Sequence, residues 1–423
     1  MEQEQTDILI SGGGVAGLAA AAAFGTAGFR VTCVDPAPPV IDRDAAGADL
    51  RTTAFLQPSV AVLQAAGLWA TLAPEAQPLQ VMRIVDAGGT EVPGTEAQGS
   101  EAEGTEPTAG VTGAQPRLTR DFDAADVSDG PFGWNLPNWL LRREMVARLG
   151  ALDTVDFRPG VGTAAVLTRE NAALVTLSDG SRIKARLLVA ADGRGSAVRE
   201  AVGIAVRTMR YGQKALTFAV THDAPHDNVS TEIHRSGGPF TLVPLPDRDG
   251  APCSAVVWME RGPEVLRIAA LPATTFEAEM TARSCGVLGP LTLVSGRTVW
   301  PVISQIAERF HAQRTALIAE AAHVVPPIGA QGLNMSLADI RTLLDLALAD
   351  PAGLGGTAML AAYDRRRRPE VLARVTGIDA LNRASMMGAP VMRDLRAFGL
   401  TALHGLAPVR KALMRAGMGA MPG

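Results

Sequence analysis

The stretch Ile8-Leu9-Ile10-Ser11-Gly12-Gly13-Gly14-Val15-Ala16-Gly17 decides how the rest of the chain is read. Ile8 to Ile10 is a short, wholly apolar run, as in a parallel strand covered on both faces. Gly12, Gly14 and Gly17 follow at once in G-x-G-x-x-G spacing. An alanine-rich segment from about Val15 to Thr26 reads as a helix. Gly28 ends it, and Arg30-Val31-Thr32-Cys33-Val34 reads as a second strand. Asp35 closes that strand, 23 residues after Gly12. Strand, glycine turn, helix, strand and acid in this order point to a dinucleotide-binding unit. Gly12 permits the tight turn, Gly14 lets the backbone approach a pyrophosphate, and Gly17 allows close packing. The helix that opens at Val15 and Ala16 offers oriented N–H groups and a partial positive charge to the phosphates. Asp35 can accept hydrogen bonds from the adenosine ribose.

Two later segments narrow the dinucleotide to FAD. Leu187-Leu188-Val189-Ala190-Ala191 is an apolar strand that delivers an Asp192-Gly193 turn. Residues 319–334 combine Glu320, a rigid Pro326-Pro327 bend and the glycine-rich loop Gly329-Ala330-Gln331-Gly332-Leu333-Asn334, which leads into a helix. Glu320 can bind ribityl hydroxyls, and Pro327 stiffens the loop. Backbone N–H groups around Gly332, Leu333 and Asn334 are placed to stabilise negative charge on a reduced flavin. No catalytic base is assigned, because the cofactor carries the difficult chemistry. His323 reads as a structural histidine beneath the flavin.

Composition excludes several classes. Hydrophobic residues make up 47% and charged residues 19%, which is globular, and a net charge of −4 gives no case for nucleic acid. Cys33, Cys253 and Cys285 share no C-x-x-C spacing, so neither a metal site nor a disulfide framework is expected. Met1 to Gln5 is acidic and polar, unlike a secretory leader, and no apolar run reaches about 18 residues. The expected location is cytoplasmic, with any membrane contact peripheral and at the inner face. Residues 391–423 carry Arg393, Arg396, Arg410, Lys411 and Arg415 against Asp394, with Leu395, Phe398, Leu403 and Leu413 interleaved. Such a tail can lie on an anionic membrane surface, pack on a partner subunit of a biosynthetic complex, or pack as an ordinary helix on the FAD-binding domain. Residues 93–116 lack aromatic residues and read as a surface insertion, and Arg365 to Arg368 as a solvated helix face.

The expected fold class is α/β, α+β overall. A Rossmann-like FAD-binding domain (1–85, 130–205 and 300–350) interleaves with an antiparallel-sheet substrate domain (206–299). Residues 86–129 form a flexible insertion on the substrate side, and 351–423 a C-terminal helical region. Ala215 to Val220 and Ser254 to Trp258 read as strands, Leu317-Ile318-Ala319 as a buried strand, and 335–348 as a helix.

Taken together, these segments resemble the single-component flavoprotein aromatic hydroxylases, and in particular their ubiquinone-biosynthesis branch. Asp49-Leu50-Arg51 is similar to that family's Asp-x-Arg segment, whose arginine lies near FAD. Phe132 to Asn138 and Leu141-Arg142-Arg143 resemble the segment entering the next FAD-contacting helix, which gives Arg51 and Arg142 a cofactor role. Tyr211 to Leu216, Gly238 to Pro246, Val256-Val257-Trp258 and Gly377 to Arg383 add to the match. Three positions depart from the pattern. Ala319-Glu320 stands where Gly-Asp is usual, Gly329-Ala330 reverses the usual order, and Trp139 replaces a basic or polar residue. The resemblance implies hydroxylation of a polyprenylated phenol that is a ubiquinone precursor. The reaction would run with O2 through NADPH- or NADH-reduced flavin and a C4a-hydroperoxyflavin, the nicotinamide binding only transiently. The alternatives are a hydroxylase of a soluble aromatic compound and a non-catalytic FAD-binding subunit of a quinone-synthesis complex.

Overall fold

The apolar run at the N-terminus is the middle of a sheet. A computed structural model describes residues 4–49, 51–87, 116–235, 237–386 and 407–418. The expected insertion at 93–116 lies outside these residues except for Pro116, and so does most of the tail at 391–423.

Strand β1 (Glu4–Ser11) is flanked in parallel by β2 (Val31–Asp35) and β11 (Arg182–Ala190). Beyond them β8 (Val155–Pro159) pairs with β2, and β19 (Thr315–Leu317) with β11, also in parallel. β18 (His311–Ala312) completes one edge, while β10 (Ala173–Leu177) pairs antiparallel with β11 and β9 (Thr163–Thr168) pairs antiparallel with β10. Ile8, Leu9, Ile10, Leu187, Leu188 and Val189 are fully buried, as a doubly covered parallel sheet requires. Helix α1 (Val15–Thr26) has bounds that coincide with those read from the sequence. Gly17 through Gly25 are all buried, because α4 (Asn138–Gly150) and α8 (Gln331–Ala349) cover the side turned away from the sheet. A helix enclosed all round needs no polar face, and its alanines allow that close approach.

A second sheet packs across the first. Its main path runs β20 (His323–Val324), β17 (Thr298–Ala307), β12 (Val206–His222), β15 (Ala251–Arg261), β14 (Pro239–Arg248), β13 (Val229–His234), β5 (Val81–Ala87) and β6 (Pro116–Asp123). β16 (Leu291–Leu293) pairs with β12 outside this path. All pairings are antiparallel except β13 with β5, which is parallel. The sheet therefore reaches past 206–299 at both ends. It takes β17 through Ala307 and it takes β5 from Val81, within spans read above as part of the cofactor domain. The reason is long-range pairing, which local periodicity does not report. A third sheet of β3 (Thr52–Leu56), β7 (Gly133–Pro137) and β4 (Gln77–Leu79) bridges the two.

Helices α2 (Gln57–Ala65), α3 (Trp69–Leu72) and α5 (Ala197–Ala201) lie with the first sheet, and α6 (Gly262–Ala269) and α7 (Ala273–Arg283) with the second. Helix α9 (Thr357–Met386) packs on α8. Arg367 corrects the reading of 365–368 as a solvated face. It is 2% exposed, and its Nε donates to Asp339 Oδ1 at 2.9 Å. A guanidinium can be buried this way because its fork is matched by a carboxylate and by Met335 O. The chain crosses between the main sheets where β19 gives way to β20. Leu317 ends the first sheet, so Ala319 is not strand but a turn with φ +55.

Candidate active site

A cavity of about 550 Å³ lies between the two sheets at this crossing. One wall comes from loops at the ends of β1, β11 and β19, and the opposite wall from β12 to β15 and β17. Eleven of the residues singled out in the sequence line it: Gly14, Val15, Ala16, Arg51, Arg142, Gly193, Glu320, Pro327, Gly329, Gly332 and Leu333.

The other five stand behind the wall and hold it in shape. Gly12 has φ +111, and a Cβ there would sit 2.4 Å from Ala191 O. At Gly17 a Cβ would fall 1.8 Å from Gly12 O, so this glycine lets α1 close onto the turn itself. Asp35 accepts from Gly13 N at 2.6 Å and from Ala37 N at 2.9 Å, fixing the loop to β2. Asp192 accepts from Ser196 Oγ and, at 3.1 Å, from Val198 N. Asn334 donates to Ala54 O at 2.7 Å and accepts from Leu56 N at 2.9 Å, tying α8 to β3.

Two helices begin on this cavity. Helix α1 starts after Gly14 and α8 after Ala330, and neither has a side-chain cap or an acid in its first turn. First-turn N–H groups without a cap are anion sites by geometry and dipole. A Cβ at Gly14 would meet nothing within 4 Å, so that backbone is open to a ligand. A group with a pyrophosphate at one end and an anionic ring at the other fits this pair of helix ends.

Asp49 organises the polar rim. Arg51 donates to both of its oxygens, at 2.8 and 2.7 Å. Asn138 Nδ2 and Arg142 Nη2 reach Asp49 Oδ2 at 3.1 and 3.3 Å. Burial works against the Asp49 charge. The hydrogen bonds from Arg51 and Asn138, with the charges of Arg51 and Arg142, outweigh it and hold the carboxyl below its ordinary range. Burial likewise works to lower the Arg51 pKa, but Asp49 and the charge of Glu320 hold it above its usual value. The Arg51 guanidinium also lies 4.1 Å from the Trp300 ring centroid. Sequence reading took Arg51 from its Asp-x-Arg segment but not Asp49, although the i, i+2 spacing was visible.

Behind the flavin-side loop, Asp339 is fully buried. It accepts from His323 Nε2 at 2.7 Å, from Arg367 and from Ala319 N at 3.1 Å. His323 is thus a structural partner, 1% exposed. Asp339 itself was missed, because nothing local marks a helix aspartate whose partners come from 16 and 28 residues away.

The far wall is mostly apolar, with Leu79, Val81, Phe132, Phe218 and Val243 among its residues. Polar side chains interrupt it at Asn135, Thr217, Ser230, Glu232 and Thr241. Glu232 Oε1 lies 2.7 Å from His234 Nε2, and His234 Nδ1 is buried with no partner among the described residues. Asn135 donates to Pro244 O at 2.9 Å, while its Oδ1 has no partner there. Neither feature was singled out in the sequence, though Glu-x-His in a strand places both side chains on one face. Cys33, Cys253 and Cys285 are free. Burial pushes all three thiols up, Cys253 to about 11, so none is an activated nucleophile. No cluster of metal ligands occurs among the described residues.

Comparison with known proteins follows the same outline. The family model described as an FAD binding domain matches residues 5–377. A ubiquinone hydroxylase of Rhodospirillum rubrum, UbiL, is 34% identical over 418 residues, covering 98% of this chain and 90% of that protein. The 3-demethoxyubiquinol 3-hydroxylase of Escherichia coli is 25% identical over 427 residues, covering 99% of this chain and all of that protein. Among solved structures, p-nitrophenol 4-monooxygenase of Pseudomonas putida superposes with a TM-score of 0.77 at 18% identity, covering 100% of both chains. That last likeness is one of fold.

Proposed function

The chain belongs to the FAD-binding-domain family, and from that membership we propose that it is an FAD-dependent aromatic-ring monooxygenase that hydroxylates a polyprenylated ubiquinone precursor, using NAD(P)H and O2. The observation that carries this reading is the match to a ubiquinone hydroxylase over 98% of the chain. One cavity that joins two uncapped helix ends to an apolar wall supports it.

In this reading the first sheet and its helices hold the cofactor and the second sheet holds the substrate. FAD, when bound and reduced, supplies the oxygen atom drawn from O2. The remaining roles fall to the chain. The N–H groups at Gly14, Val15 and Ala16 take the pyrophosphate, with Gly12 and Gly17 shaping that turn. Asp35 would hold the turn beside the ribose from behind the wall, through Gly13 and Ala37, and Asp192 with Gly193 would close the floor. Arg51 and Arg142, held by Asp49, would contact the cofactor, and Glu320 would bind the ribityl hydroxyls. Pro327, Gly329, Gly332 and Leu333 would bound the flavin ring, with Asn334 anchoring that loop to β3 from behind, and the α8 dipole would offset negative charge on the ring. The apolar wall of the second sheet excludes water and holds the substrate ring.

A polyprenyl tail lives in a bilayer. No described helix is long and apolar enough to cross a membrane. We place the peripheral contact, with a membrane surface or a quinone-synthesis complex, in 391–423. Within that span the helix Ala407–Met418 pairs Arg410 with Asp126 and buries Met414, leaving Ala407, Pro408 and Val409 exposed. Flotation of full-length and 1–390 protein with anionic liposomes tests this; equal behaviour of the two removes the role.

The function itself is tested by incubating FAD-loaded protein with a short-chain prenylated phenol, NADPH or NADH, and isotopically labelled O2. The expected product is the phenol with one labelled hydroxyl added. Flavin reduction without any such product, across prenylated phenols, would overturn the reading.

A further inference from the structure

Glu232 and His234 stand two residues apart on β13, so strand alternation turns both to one face. That face is the cavity side. Ser230 and Glu232 line the cavity, whereas Thr231 and Ile233 are buried on the other side. At 2.7 Å, Glu232 Oε1 and His234 Nε2 must share a proton. With that proton on Nε2, the Glu232 carboxylate faces the cavity as an acceptor, and Nδ1 is buried with no partner among the described residues. Burying a nitrogen without a partner is unfavourable, so packing alone does not account for this arrangement. Other charged groups surround the pair. Asp86 of β5 lies beside His234 in register, and Arg120 of β6 lies beyond Ile84, which is itself beside Glu232. Arg235 follows in the chain. Arg283 of α7 donates to Ile233 O and Gly238 O, near Glu260.

We propose that Glu232 is the catalytic proton acceptor for the ring hydroxyl of a phenolic substrate, and that His234 is a positioning residue that orients its carboxylate. The proposal rests on the hydroxylase reading above. As a ring π pair forms the new C–O bond at a carbon ortho or para to the hydroxyl, the O–O bond derived from O2 breaks. The second oxygen leaves as water with two electrons drawn from NAD(P)H, and the phenolic O–H bond breaks. Its proton goes to Glu232, and the bonding pair stays on oxygen and forms the C=O of a transient dienone. The ring then loses its C–H proton to solvent, and Glu232 returns its own to the carbonyl oxygen. The carboxylate ends as it began, with O2 as oxidant and NAD(P)H as reductant.

The test uses FAD-loaded wild type, E232Q and H234F with 2-prenylphenols carrying none, one or two ring fluorines, which make the hydroxyl progressively more acidic. Occupancy is matched by the flavin spectrum. E232Q is expected to lower kcat about a hundredfold on the unfluorinated phenol, with KM changed less than about threefold. The deficit should shrink with fluorination and with rising pH. H234F should cost about tenfold and move the acid limb of the kcat profile. A deficit of equal size for every phenol and every pH, or E232Q within about threefold of wild type, overturns the proposal. If E232Q does not fold, E232D carries the same acidity series. Absence of product from wild type overturns the hydroxylase reading itself, a different outcome from an acidity-independent deficit.

Discussion

Replacing Asp339 by alanine removes a carboxylate that joins α8, α9 and the flavin-side turn. In the folded protein it accepts from Arg367 at 2.9 Å, from His323 at 2.7 Å and from Ala319 N at 3.1 Å, with no solvent exposure. Breaking a buried pair by deleting one partner costs about 3–5 kcal/mol, because the remaining charge stays buried. Glu370 also pairs with Arg367 and is partly exposed, so the lower half of that range is expected. Unfolding entropy of about 2.1 cal/mol/K per residue gives roughly 0.9 kcal/mol/K for a chain of this length, so the midpoint should fall by about 3–4 °C. Differential scanning calorimetry of cofactor-free D339A reads this directly. R367M should return part of the loss in the double variant, since it removes the stranded charge. FAD affinity should drop as well, because Ala319 N no longer has its acceptor. A midpoint within about 1 °C of wild type would show that the buried cluster contributes no net stability and would refute this account.

Two glycines of the first turn should separate folding from binding. G12A puts a Cβ against Ala191 O and should destabilise by about 2–3 kcal/mol. G14V meets open space, so it should keep stability within about 1 kcal/mol yet emerge from purification without flavin, as judged by absorbance. Two alanines adopt left-handed backbone, φ +55 at Ala319 and at Ala330. A319G and A330G should each gain about 0.5–1 kcal/mol in urea titration, the relief of strain exceeding the added chain entropy. On pH, Asp49 and Asp339 both have folded pKa values below the ordinary carboxylate value. The unfolded chain therefore takes up protons first as pH falls. Their stabilisation is complete above about pH 5 and is lost progressively below it, so the denaturation midpoint should fall on acidification and be flat toward neutrality.

What the sequence discloses follows how local each feature is. The first strand, the glycine turn and α1 depend on neighbours within a few residues, and Val15–Thr26 coincides with its expected bounds. Helix α8 starts at Gln331 rather than 335 because the left-handed Ala330 begins the turn inside the loop. The membership of β5 in the second sheet was not legible, since Ile84 meets Glu232 only after the chain returns. Arg367 is the plainest misreading. Four consecutive arginines suggest solvent, yet helical spacing points one of them inward, and only the distant Asp339 makes that position tolerable. Glu232 and His234 were legible as a spacing but not as a site, because nothing in the local sequence tells which face of β13 meets a cavity.

The parallel pairing of β5 with β13 has a consequence for synthesis. As the chain leaves the ribosome, Val81–Ala87 emerges long before its neighbour Val229–His234 exists. The first sheet waits too, since β19 comes from Thr315–Leu317. Neither layer can be completed while the other is still being made. The nascent chain therefore carries unpaired strand edges until Thr315–Leu317 has been made, which makes chaperone capture, rather than stepwise domain folding, the expected route.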